Sequence, residues 1–339
     1  MAEVVASRAE ASWKTLGARI DYWRRILPAY LGIGVSQLTF WHDQPELNRR
    51  AVGTALGEYY QNFAAKATYG GPYDADGIPL LDYRGHLGRQ YNPIAIAQYA
   101  LANYNVHAQT RSGDALARFL RATRWLVTNL ERNSHGVWVW HHHFDWEYWQ
   151  RLRAPWYSAL AQGQGISALV RAHHMTGDSA YLNAAIRAFE SFARDLDDGG
   201  VRHVDDHGDW WLEEYVVSPP SHILNGLLWS LWGVRDFQLA TADWYAADLY
   251  ERCLATLERK LPAYDVGYWS RYDLSPTAIP MIASPFYHRL HVVQLQMMHL
   301  LAPRPVFVEY AERWQRFAAS SWCRGRALVE KIVFKLLYF

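Results

Sequence analysis

Cysteine is almost absent from the 339 residues: Cys253 and Cys323 are the only two, too few for a disulfide framework. Net charge is almost absent as well, +1 with histidine neutral. That balance excludes a general nucleic-acid binder, whose affinity rests on dense neutralisation of phosphates. No apolar run is long enough to span a bilayer, since "ILPAYLGIGV" is short and contains Pro28. The opening stretch "MAEVVASRAEASWKTLGARIDYW" is charged throughout and lacks the apolar centre of a secretory leader. These absences set the expectation of a soluble protein in a cytoplasmic, reducing setting. GxGxxG in strand context, P-loop, GxSxG and kinase signatures are missing too, and "HLGRQ" and "GQGIS" hold too few glycines to cradle phosphate. No cofactor is expected.

What is abundant is aromatic: 17 Trp, 22 Tyr and 12 Phe. A chain of this length buries a large core without metals or disulfides. Rings in excess of that core suit a groove, where flat amphipathic faces stack on the apolar faces of sugars.

Four helical pairs follow one another, at 92–131, 163–196, 221–261 and 286–320. In each, the first helix is apolar nearly all round and the second is amphipathic. Leu224, Leu227, Leu228, Leu231 and Trp232 contrast in this way with Asp248, Glu251, Arg252 and Glu258. Inner helices shielded by an outer ring read like this, so the expected fold is mainly α, an (α/α) toroid or barrel of helical hairpins, with an α-solenoid as the other arrangement of the same pairs. Short β-like inserts at 135–146, 199–216 and 266–274 separate the pairs, with turns at Gly136, Gly199, Gly200, Gly208 and Gly267. Each insert precedes an inner helix, so in a toroid all emerge at one end and their residues converge on one cleft. The barrel is expected over 67–320. Ahead of it, residues 1–66 read as a helical segment packed on the barrel, with helices at 9–30 and 48–66. Behind it, residues 321–339 read as a basic amphipathic helix. That helix either docks on its own domain, the favoured reading, or makes peripheral contact with an anionic membrane.

Glu213, Glu214 and Tyr215 sit in an insert, after Trp210 and Trp211 and before Pro219 and Pro220. A carboxylate among tryptophans is desolvated, which raises its pKa and suits it to proton transfer. The same residues also read as a charged turn with Ser221 capping the next helix, and pattern alone leaves both open. Tyr264, Tyr268, Tyr272 and Tyr287 cluster in the following connections, with Arg271 and Arg289 close by as cations that could stabilise a phenolate. His288 and His291 lie one helical turn apart, placed to bind a carboxylate or to line a pocket wall. The run His141-His142-His143 suggests zinc, but neighbours alternate faces on a strand and no cysteine or HExxH spacing accompanies them, so no metal is expected. The carboxylates Asp205, Asp206, Asp209, Asp273, Glu213 and Glu214 keep a glycosidase open.

With these residues in view, the chain from about Tyr59 to Phe317 resembles the C-terminal domain of the D-glucuronyl C5-epimerases. The segments that carry the likeness are "PIAIAQYAL" (93–101), "WYSALAQGQGISALVRA" (156–172), "EEY" with "LNG" following (213–226), "YDL" (272–274) and "YHRLHVVQLQ" (287–296). The resemblance implies an (α/α) barrel that converts D-glucuronate to L-iduronate within a polysaccharide. It carries catalytic roles to Glu214, Tyr215, Tyr272 and Tyr287, and substrate contacts to Gln98, Gln162, Gly163, Gln164 and Asn225. Ser275 and Ser284-Pro285-Phe286 stand where that family commonly has arginines, which leaves Arg271 and Arg289 to take their place. Calcium ligands belong to a further domain of that family and are not carried over. A homodimer is a second expectation of the resemblance. A uronate lyase, which begins with the same proton abstraction, and a silent glycan-binding protein are the competing readings.

Overall fold

Four apolar segments have no wet side, and the four that follow them have a single dry stripe. In the computed structural model, which describes residues 23–24, 27–31, 40–41, 44–51, 53–83 and 87–338, these become four helical hairpins. Helix α1 (Pro93–Thr110) buries every residue from Pro93 to Asn105. Its partner α2 (Gly113–Thr128) buries only the stripe Ala115, Phe119, Ala122, Thr123 and Leu126. The pattern repeats in α3 (Ala159–Thr176) with α4 (Ser179–Phe189), α5 (Leu224–Thr241) with α6 (Trp244–Lys260), and α7 (Pro285–Leu301) with α8 (Pro305–Ala319). The inner helices are neighbours in the order α1, α3, α5, α7, each covered by its own outer partner, so the fold is an (α/α) toroid. Helices α3 and α5 approach closest because Gly163 faces Gly233 and Ser230. A Cβ on Gly163 would lie 2.6 Å from the Ser230 Cα, so only glycine permits the contact.

Short antiparallel ribbons lead into the inner helices. Strands β1 (Leu81–Asp82) and β2 (Arg89–Gln90) precede α1; β3 (Glu131–Arg132) with β4 (Trp138–Val139) and β5 (Trp146–Glu147) with β6 (Arg151–Leu152) precede α3; β7 (Arg202–Val204) and β8 (Trp210–Leu212) precede α5. Asn92, Ser158 and Ser284 cap α1, α3 and α7 with their side chains. Helix α5 has no side-chain cap; the Leu224 N–H donates instead to the Tyr272 carbonyl, 3.1 Å away. The capping by Ser221 that the charged-turn reading offered does not occur: the cap position is Ile223.

Across the C-terminal halves of the inner helices runs an irregular segment. The helix expected over 48–66 reduces to one turn, Ala64–Ala67. The reason is that the backbone of this segment is claimed by side chains of the barrel. Asn105 accepts from the Tyr59 N–H at 2.6 Å and donates to the Tyr59 and Gln61 carbonyls, while Arg171 donates to the Gly57 carbonyl. Most of the helix expected over 9–30 lies outside the described residues. The C-terminal helix α9 (Ser321–Tyr338) turns Cys323, Ala327, Lys331 and Phe334 inward onto the domain.

Candidate active site

The segment after β8 splits its two glutamates by role. Glu213 is fully buried and holds the turn: its carboxylate accepts from the Ser221 and His222 N–H groups at 3.3 and 3.0 Å and contacts His222 Nδ1 at 2.5 Å. Trp211 stacks on the His222 ring, with centroids 4.1 Å apart. Glu214 turns the opposite way, towards the uncapped start of α5. Its Oε2 accepts from Asn225 Nδ2 at 3.2 Å, and a Cβ on Gly226 would lie 2.3 Å from that same oxygen. Asn225 is held in turn by α7, where Gln294 Nε2 donates to its carbonyl at 3.0 Å.

Three phenols surround this carboxyl. Tyr215 packs edge-on against Tyr148 and Trp156, at 4.9 and 5.6 Å between centroids. Tyr272 and Tyr287 meet edge-on at 5.0 Å. Burial pushes the Glu214 pKa up to about 8, opposed by hydrogen bonds to Tyr215 and Asn225 and reinforced by the charges of Glu213 and Asp273. Burial also drives Tyr215, Tyr272 and Tyr287 far above an ordinary phenol, with the Glu214 charge next in weight for each. The phenols therefore hold their protons at neutral pH, and Glu214 is the member of the cluster that titrates near it.

Two residues that the sequence reading left out complete the cluster. Tyr148 donates to Asp273, which lies next to Tyr272 and is itself pushed upward by burial. Tyr83 accepts from Asn92 Nδ2 at 2.8 Å and stacks near Phe144 and Trp146. Its charge is among the influences on Tyr287. Neither has a local signal, because both arrive from ribbons far away in sequence.

Several expected substrate contacts face elsewhere. Gln162 is sealed by its neighbours: it accepts from the Trp140 N–H and donates towards the Trp138 and Ala188 carbonyls and Ser191 Oγ. Gly163 serves the α3–α5 contact. Gln98 and Gln164 are buried and pair with each other at 3.0 Å, with Tyr59 close to Gln164. His288 and His291 both turn to Ser270, and His288 also reaches the Trp314 carbonyl on the outer helix α8. Arg289 lies about 200° round α7 from Tyr287; burial lowers its pKa, and the nearby charge of Arg324 on α9 adds to that. Arg271 pairs in register with Ile282, and its side chain influences Asp273 and Tyr264 rather than the three phenols. Of the other insert carboxylates, Asp209 is held by Arg259 and Lys260, Asp205 receives Trp211 Nε1, and Asp206 is exposed.

The residues that build this cluster from Tyr148 to Tyr287, all but Tyr83, fall inside a sequence match. The family described as D-glucuronyl C5-epimerase C-terminus matches residues 132–316, more than half of the chain. The chain belongs to the D-glucuronyl C5-epimerase family. A D-glucuronyl C5-epimerase of Caenorhabditis elegans is 35% identical over 216 residues, which are 59% of this chain and 35% of that protein. The match thus spans about a third of the nematode protein's length. An uncharacterized protein of Methanocaldococcus jannaschii is 28% identical over 210 residues, 59% of this chain and 67% of that one. Among solved structures, a cellobiose 2-epimerase from Spirochaeta thermophila superposes with a TM-score of 0.51 at 14% identity, covering 75% of this chain and 66% of its own. That likeness concerns the fold alone and agrees with the toroid. Within the matched residues, Glu214, Tyr215, Tyr272 and Tyr287 form one buried cluster of a carboxyl group and three phenols.

Proposed function

We propose that this C5-epimerase family member inverts C5 of D-glucuronate residues in a uronate-containing glycan, giving L-iduronate. The observation that carries the reading is the buried Glu214 carboxyl, pushed up to about 8, facing three protonated phenols. The C5 hydrogen is α to a carboxylate, so its loss leaves a second negative charge on the sugar carboxyl group. Phenolic donors aimed at that group lower the cost without an added cation, as oxyanion-hole donors do. In the working assignment Tyr215 and Tyr272 polarise the carboxylate. Ionised Glu214 takes the C5 proton, the electron pair moves into the enediolate, and the Tyr287 hydroxyl returns a proton on the opposite face. The Tyr287 phenolate then takes a proton from solvent and the Glu214 carboxyl releases one, which restores both groups. The reverse reaction uses the same two groups with their roles exchanged.

Incubation of candidate uronate glycans with the protein in deuterated water, followed by NMR at C5, tests the reading. Deuterium at C5 with an intact chain supports epimerisation. An unsaturated uronate product would mean a lyase, and new reducing ends without deuterium would mean a glycosidase.

We also propose a peripheral contact between α9 and an anionic membrane, with the protein cytoplasmic. Among the described residues no helix is long and apolar enough to cross a membrane. What supports the surface contact is the outward face of α9, where Trp322, Val329, Leu336 and Leu337 are exposed beside Arg326. Co-sedimentation with vesicles containing phosphatidylserine, lost in Trp322→Ala/Leu336→Glu, is the expected result; equal sedimentation of that variant overturns it.

A further inference from the structure

The run His141-His142-His143 has a second meaning once its strand is placed. The chain continues extended beyond β4, and His142 pairs with Trp156 through backbone bonds of 2.7 and 3.2 Å. Alternation along this strand sends His142 inward and turns His141 and His143 together to the opposite side, where His143 is exposed and the His141 side chain is nearly buried. Alternation thus removes only the middle histidine from a metal site and brings the outer two onto one face. Glu131, on the neighbouring strand β3, comes to that face because it is paired with Val139, two residues before His141.

Glu131 Oε2 lies 3.1 Å from His141 Nδ1 and 3.5 Å from His143 Nε2. No two of the three ligand atoms are more than 4.8 Å apart. Around a tetrahedral ion with bonds of about 2.0–2.1 Å, donor atoms sit roughly 3.3 Å from one another. The three side chains therefore need only small rotations to close on an ion. Two imidazoles and one carboxylate form the donor set that zinc accepts, and a hard cation such as calcium would want oxygens instead. Glu131 and His143 side chains are 51% and 66% exposed, which leaves water to complete the coordination.

We propose that Glu131, His141 and His143 bind one Zn²⁺ ion. The ion clamps β3 to the strand that carries His142. On the inner side of that strand His142 stacks face to face on Trp156 at 3.7 Å, and Trp156 packs edge-on against Tyr215. The ion thus fastens the outer side of a wall whose inner side supports the candidate site. It takes no part in proton transfer.

Calorimetric titration of the full chain with Zn²⁺ at neutral pH tests the proposal, with thermal melts alongside. The expected result is a saturable site of one ion per chain and a higher melting temperature on loading. His143→Ala and Glu131→Gln each weaken binding at least tenfold, whereas His135→Ala on the same ribbon leaves it unchanged. Because His143 and Glu131 are surface side chains, the metal-free melts of these variants match the parent and folding does not confuse the outcome. Co²⁺ in place of Zn²⁺ gives a visible ligand-field band that His143→Ala lacks. Binding of equal strength in His143→Ala, or no saturable site, overturns the proposal.

Discussion

At the scale of single residues, the decisive feature is a carboxyl group that, among the described residues, is buried with no cation among its leading influences. The leading influences on Glu214 are burial, Tyr215, Asn225, Glu213 and Asp273, of which the last two are acidic. Its proton affinity lies above the unfolded value of 4.5 and reaches about 8 in the fold. Between those values the folded chain holds a proton that the unfolded chain has released. The stabilisation from neutral Glu214 is complete below pH 4.5 and is lost as pH rises through 8. Glu214→Gln keeps the contact with Asn225 and removes the titration. It should flatten the decline of melting temperature between pH 5 and 9, with a gain at the alkaline end on the order of 5 kcal/mol at most. A decline as steep as the parent's would contradict the shift. The same affinity bears on turnover, since the direction that starts from ionised Glu214 should accelerate as pH climbs towards 8. Tyr287 is the other proton carrier. Tyr287→Phe keeps the ring that packs on Tyr272 and Phe286, so its melting temperature should hold while formation of L-iduronate falls by about 10²–10⁴. Normal inversion in that variant would refute its role.

At the scale of elements, the start of α5 is where fold and chemistry meet. Gly226 occupies the first turn of that helix, against Glu214 Oε2. Gly226→Ala gains helix propensity of about 1 kcal/mol but drives a Cβ into the carboxyl group. Exchange at C5 should fall at least tenfold, with a melting temperature within a few degrees of the parent. Full exchange would mean that Glu214 need not stay where it is. The hairpins were legible in the sequence because an apolar helix and a striped helix differ in composition and in period. Their rotation was not. A helix buried on every side, such as α3 from Ala159 to Ala172, carries no amphipathic phase to say which side chain faces which neighbour. Gln162, Gly163 and Gln164 follow one another in steps of about 100°, so the three could not share one cleft, yet nothing local decides among them. His288 and His291 on α7 pose the same problem and turn out to face Ser270. By contrast, Glu214, Tyr215 and Tyr272 lie in connections whose direction is fixed by the inserts themselves. Tyr83 and Tyr148 stayed hidden because only tertiary contact reveals them. Residues 48–63 misled for another reason: their composition suits a helix, while Asn105 and Arg171 take the backbone groups a helix would use.

At the scale of the whole molecule, the toroid is tied together at the end away from the cluster by one buried ion pair. Arg171 on α3 donates to both carboxylate oxygens of Asp236 on α5, at 2.5 and 3.1 Å, and Tyr60 of the irregular segment donates to Asp236 at 2.8 Å. Both charged side chains are essentially sealed from solvent. Burying such a pair costs nearly what its attraction returns, so its net worth as an ion pair is small. Its value lies in what each partner would lose alone. Arg171 also holds the Gly57 and Ser167 carbonyls, so it joins α3, α5 and the segment that crosses them. Asp236→Ala strands the guanidinium and should destabilise the fold by about 3–5 kcal/mol, read as a lowered urea midpoint. The double variant Arg171→Met/Asp236→Leu removes both charges and fills the space with apolar atoms, so it should recover most of that loss. Because the pair lies at the opposite ends of the inner helices from Glu214, C5 exchange per folded molecule should be nearly unchanged in the double variant. A double variant as unstable as Asp236→Ala would show that the two charges favour the fold by their attraction, and that the crossing segment depends on it.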